Sequence, residues 1–197
     1  MKYPPKHHQD NNINHMLEVI KAYPLATVIS VKDNAPLITH LPLIYNTNGK
    51  LIGHIDKYNP QTPLLKNNNE ITLIFSGPEC YISPNIYTTK QLPTYNYIKV
   101  HIKGTVKEVQ SKEALKNSLI KMTEFLEAPD HKYTLEPNNK AMDSYLDYIK
   151  MFEITITNWE GKFKLSQDKT PEDIEKAKNQ LIKTNQANIA SFLNKIV

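Results

Sequence analysis

The stretch LATVISVKDNAPLITHLPLIYNTNGKLIGHI, residues 25–55, decides the architecture. Residues 25–31 are rich in β-branched side chains, and Asp33-Asn34-Ala35-Pro36 reads as a turn. Residues 37–45 alternate as a second strand. Asn46-Thr47-Asn48-Gly49 is a hairpin signal, and 50–55 is the return strand. Three strands follow one another with no helix between them, which makes an antiparallel meander. A doubly wound nucleotide fold needs strand–helix alternation and a glycine-rich turn, and the five glycines of the chain are too sparse for one.

Outward from this core, 10–22 predicts a helix with Met16, Leu17 and Ile20 on its apolar stripe, ended by Pro24. Residues 59–68 predict a crossover and 70–75 a fourth strand, followed by a long loop from 76 to about 93. Residues 95–109 predict a fifth strand, bent at Gly104, and 111–126 an amphipathic helix. After a polar loop over 128–139 and a short helix over 142–149, strands over 151–157 and 162–165 are expected, joined by a turn at Trp159-Glu160-Gly161. Thr170-Pro171-Glu172-Asp173 opens a helix with a capping threonine, a first-position proline and acids facing the dipole. A last helix is expected over 187–196. Strands of even spacing with interposed helices predict an α+β fold on a small closed barrel. The chain reads as one domain over 1–197, with 171–197 as a C-terminal helical extension.

Composition narrows the function. The 197 residues carry a net charge of +4, and all 24 basic residues are lysine. Without arginine, a phosphate must be held by lysine, backbone N–H groups and neutral side chains, and base edges are read poorly. A single cysteine, Cys80, excludes an internal disulfide; with no leader pattern at the start, a cytoplasmic setting is expected. No apolar run approaches the ~20 residues of a membrane helix, so no membrane partner is expected. His40, His54 and His101 sit on three different predicted strands, and His7 and His8 in a loose N-terminal stretch, so no metal site is expected. On 97–105, Tyr97, Lys99, His101 and Lys103 face away from Ile98, Val100 and Ile102. On 161–167, Lys162 and Lys164 alternate with Phe163 and Leu165. Such a lysine stripe suits an anionic cofactor or a solvated face.

A series of segments adds to this reading: Tyr23-Pro24-Leu25-Ala26-Thr27, Thr39-His40-Leu41-Pro42, Gly53-His54, Asn59-Pro60-Gln61, Gly77-Pro78, and Tyr81-Ile82-Ser83-Pro84. Asn96-Tyr97, Val100-His101, Phe152-Glu153, and Gly161-Lys162 through Lys164-Leu165-Ser166-Gln167 follow in order. In this order they resemble the PaiB-type negative transcriptional regulators, a family of FMN-binding split barrels. The resemblance implies a six-stranded antiparallel split β-barrel with flanking helices and a C-terminal helical segment. It also implies a homodimer with FMN held across the interface. Carried onto this chain, it points to His54, Lys57, Asn59 and Gln61 for the phosphate, and to Tyr95 and His101 beside the ring. Lys164 and Gln167 would reach the partner's flavin. The family's tryptophans are absent here: one position reads Ile86, and the segment Pro93-Thr94-Tyr95-Asn96-Tyr97 has none. Weak or absent flavin is therefore also an expectation.

Two functions follow: a flavin-binding regulator, with direct DNA binding doubtful, and an FMN-dependent oxidoreductase using a nicotinamide donor. A DNA role would draw on the last two helices, through Asn188, Ser191, Asn194 and Lys195. Haem binding is disfavoured, because no histidine follows His131.

Overall fold

In the computed structural model the chain is described over residues 5–66 and 68–185. The helix expected over 187–196 lies outside the described residues. The strands are β1 (Gln9–Asp10), β2 (Leu25–Lys32), β3 (Ala35–Tyr45), β4 (Lys50–Asp56), β5 (Glu70–Ile82), β6 (Thr94–Val109) and β7 (Ile149–Lys164). The helices are α1 (Ile13–Ala22), α2 (Lys112–Glu127), α3 (Lys140–Tyr145) and α4 (Pro171–Asn185). Short 3-10 turns occupy Lys6–His8, Thr62–Leu64, Pro84–Ile86 and Leu146–Tyr148.

The strand order is β1-β7-β4-β3-β2-β5-β6, and β6 pairs back onto β7. Strands β2 to β7 therefore form a closed ring of pairings, with β1 added beside β7. This is the expected six-stranded antiparallel split barrel with flanking helices. The meander is as read: β2 pairs with β3 from Leu25↔Pro42 to Lys32↔Ala35, and β3 with β4 from Leu43↔Gly53 to Tyr45↔Leu51. The turn between β2 and β3 places Asp33 and Asn34 at φ 51° and 62°, left-handed positions that Asp and Asn tolerate.

The chain forms two compact units. One comprises Ile13–Ser76 and Val100–Trp159. Its core is the inward alternation of the strands: Val28, Leu43, Leu51, Leu73, Ile102 and Ile154, all fully buried, with Phe75 and Phe152. Ser111 caps α2 by accepting from Ala114 N, and Met16 and Ile20 bury the apolar stripe of α1. The other unit comprises Gly77–Lys99, the residues up to Asn12 and those from Glu160 on. Its small core packs Cys80 and Ile82 of β5 against Ala177 and Leu181 of α4, with Tyr87 and Leu165 alongside.

Two expectations change. β5 continues to Ile82 instead of stopping at 75: the buried positions alternate through Gly77, shift by one residue across Pro78-Glu79 and resume at Cys80 and Ile82. The turn expected at Trp159-Glu160-Gly161 is also absent, and β7 runs unbroken from Ile149 to Lys164. Gly161 serves instead as the crossing point for β1: a Cβ there would sit 2.5 Å from Asp10 O, and the register pairs Asp10 with Gly161.

Candidate functional site

In the first unit the predicted phosphate residues leave β4 and its following turn in four different directions. His54 points outward from the barrel and meets α2, where its Nε2 hydrogen-bonds Ser118 Oγ at 2.9 Å. Burial lowers its pKa to about 4, so at neutral pH the ring is uncharged. Lys57 extends its ammonium over the Tyr148 ring at 4.2 Å and the Tyr58 ring at 5.0 Å. Asn59 closes its own turn by accepting from Gln61 N at 2.8 Å, and its Nδ2 reaches Thr39 Oγ1 on β3 at 3.3 Å. Gln61 turns inward and is 1 % exposed. Its Nε2 lies 3.0 Å from Ser30 Oγ, 3.1 Å from Val28 O and 3.2 Å from Leu37 O, tying β2 to β3. Its buried Oε1 is an acceptor and offers nothing to a phosphate. Of the four, Lys57 and Asn59 keep polar groups at the surface.

The outer face of the β2–β3 pair was not singled out by sequence, yet it is the most distinctive surface of this unit. Leu25, Val31 and Ile38 are 59 %, 64 % and 56 % exposed. The register places Leu25 opposite Pro42, Ile29 opposite Ile38 and Val31 opposite Pro36. In their midst Thr27 Oγ1 and His40 Nδ1 form a hydrogen bond at 3.2 Å. The signal was present in the sequence, because these strands are apolar on both faces. His101 lies half-buried on β6, on the face of the strand opposite Val100 and Ile102.

The second unit holds Tyr95, Lys164 and Gln167. Tyr95 is half-exposed on β6. Gln167 is committed locally: its Oε1 accepts from Leu165 N and its Nε2 donates to Phe163 O. These bonds close the bend where Ser166 takes φ 65°. Lys164 lines a recess of about 300 Å³ with His8, Gln91, Thr94, Ser166, Asp168 and Lys169. Elsewhere the lysine stripe is largely neutralised, with Lys99 on Glu79 at 2.5 Å and Lys162 on Glu160 at 2.9 Å. Lys164 has no such carboxylate partner among the described residues. The loop above this unit is held down by Asp173, which accepts from Thr88 N, Thr88 Oγ1 and Thr89 Oγ1 at 2.7–2.8 Å. Burial raises this carboxyl, but the hydrogen bonds from Thr89, Thr88 and Thr170 outweigh it and hold the pKa at about 2.

A family model described as "Putative FMN-binding domain" matches residues 2–158. The chain belongs to this FMN-binding family. A Bacillus subtilis relative, "Protease synthase and sporulation protein PAI 2", is 26% identical over 175 residues, covering 87% of this chain and 84% of that protein. The PaiB-type resemblance therefore holds. Among solved structures, the FAD and haem binding protein of Mycobacterium smegmatis superposes with a TM-score of 0.66 at 18% identity. That match covers 85% of this chain and 79% of the other. Flavocytochrome Anf3 of Azotobacter vinelandii gives a TM-score of 0.63 at 14% identity, covering 79% and 69%. At these identities the likeness establishes the split-barrel fold alone. The family match ends before Gly161, so Lys164, the residues of the recess that follow it and α4 lie beyond the match.

The residues present fit a flavin phosphate by their donor set. In one unit Lys57 and Asn59, and in the other Lys164 and Thr94, each offer an ammonium group and a neutral donor of the kind a phosphate takes. No helix among the described residues is long and apolar enough to cross a membrane.

Proposed function

We propose that this protein is an FMN-binding, PaiB-like regulator that works as a homodimer in the cytoplasm, with the whole chain acting as one flavin-binding domain. The observation that carries the reading is the outer β2–β3 face. Three large aliphatic side chains there are more than half exposed, on paired strands of a family defined by FMN binding. A surface of this kind is the expected seat of a second copy. Lys57 and Asn59 hold the phosphate by point charge and amide hydrogen bonds, and Lys164 of the second copy closes over the flavin beside the bend that Gln167 holds in shape. Tyr95 and His101 flank the ring, while His54 and Gln61 hold the scaffold. When bound, flavin supplies hydride or electron acceptance; the chain binds, orients and shields it. Regulation through the flavin suits a chain with no arginine for base readout better than direct operator binding does.

The test uses the full chain with added FMN. The expected result is retained yellow colour after desalting and a melting temperature that climbs with FMN concentration. At 100 times Kd the stabilisation is about 2.7 kcal/mol. Colourless protein with an unmoved melting curve overturns the reading. Steady oxidation of a reduced nicotinamide by the loaded protein would instead make it an oxidoreductase. Salt-dependent gel shifts would show direct DNA contact.

A further inference from the structure

We infer that His7, His8 and Asp168 form a three-ligand site for a divalent transition metal, with Zn²⁺ the ion best matched to its donors. The sequence places His7 and His8 about 160 residues from Asp168, counted on their own numbers. The fold brings one ligand atom from each within 4.8 Å of the other two. The gathering is a built feature of the second unit. The 3-10 turn Lys6–His8 is closed by His8 N donating to Pro5 O at 2.9 Å. Directly after it, β1 pairs with β7 through Gln9↔Lys162 and Asp10↔Gly161. The missing Cβ of Gly161 lets that pairing come close. On the other side, Asp168 follows the left-handed bend at Ser166, whose hydroxyl is fixed by Asn96 and Tyr87.

The chemistry suits two imidazoles and a carboxylate. Tetrahedral zinc with bonds of about 2.0–2.1 Å needs its ligand atoms ~3.4 Å apart. The required contraction from 4.8 Å is within the reach of side-chain rotation, since His7 and Asp168 are exposed and His8 half-buried. Asp168 engages Lys169 through Oδ2 at 2.8 Å, which leaves Oδ1 for an ion. The rings of His7 and His8 already stand edge to face, with centroids 4.1 Å apart, so both nitrogens can converge without unwinding the turn. Lys164 and Lys169 moderate the affinity by repulsion and select against hard cations, which need more carboxylates than the single one present. Three protein ligands leave a fourth position for water, so the ion clips the N-terminal turn to the bend after β7 while remaining reactive toward an incoming ligand. None of this depends on flavin.

The test is calorimetric titration of chelator-treated full-length protein with Zn²⁺ alone, paired with visible spectra after Co²⁺ addition. The expected result is one ion per chain and the intense visible bands of tetrahedral cobalt. His8→Ala and Asp168→Asn should each weaken binding at least ~10-fold and abolish the bands, with metal-free melting curves unchanged. His40→Ala should change nothing. Binding that persists in the His8→Ala, Asp168→Asn double variant, or no binding to the parent chain, overturns the site.

Discussion

His54 shows how much of a residue's surroundings one sequence withholds. Its position on β4, facing away from Leu51 and Ile55, was legible from alternation, but its neighbour was not. Ser118 lies 64 positions later on α2, and no local pattern announces a helix laid over that face. The same limit applies to Gln61, whose acceptors on β2 and β3 are up to 33 residues away. The consequence for His54 is measurable. Its folded pKa of about 4 lies below the ordinary 6.5, so the unfolded chain binds the extra proton first as pH falls. Its contribution to stability is complete above pH 6.5 and is lost progressively down to pH 4. At pH 4.5 the loss is about 2–3 kcal/mol. Urea unfolding at pH 7 and pH 4.5 checks this against His54→Gln, which keeps an amide for Ser118 but cannot take up the proton. The variant should lose that much less between the two pH values, and equal losses would refute the assignment.

At the scale of elements, the strands that alternate cleanly were readable, and those interrupted by glycine or proline were not. β2, β3 and β4 appear where residues 25–55 place them, because one face is buried and each turn carries its own chemistry. β5 and β7 ran longer than read, because glycine marks a turn and a close crossing with the same letter. At Gly161 the crossing explanation makes a prediction. Gly161→Ala puts a methyl against Asp10 O, which is backbone and cannot rotate away. The expected result is loss of the β1 pairing at a cost of about 1–3 kcal/mol. Amide exchange should accelerate at residues 8–10 while β2 and β3 remain protected. Unchanged exchange there would mean that β1 is held by other contacts.

For the molecule as a whole, the decisive fact is that the ring of strand pairings leaves an apolar face unused. A closed barrel normally turns polar side chains outward, yet β2 and β3 are apolar inside and out over Leu25, Ile29, Val31 and Ile38. The inner set makes the core of one chain, and the outer set is the face on which the proposed second copy would sit. Family membership was legible because many weak segments recur in order. The exposed apolar face of β2 and β3 was not, because an exposed Ile and a buried Ile are the same letter in one sequence. Ile38→Asp separates the two roles. The residue is 56 % exposed, so the carboxylate costs the isolated fold little, but in a two-fold contact it is introduced twice and desolvated. Sedimentation should find the parent chain dimeric and the variant monomeric with an unchanged far-UV spectrum. On the proposed reading, in which groups from both copies hold the flavin, the variant should also lose FMN-dependent stabilisation. A monomeric variant that still binds FMN as tightly as the parent would confine the flavin to one chain and remove Lys164 from its site.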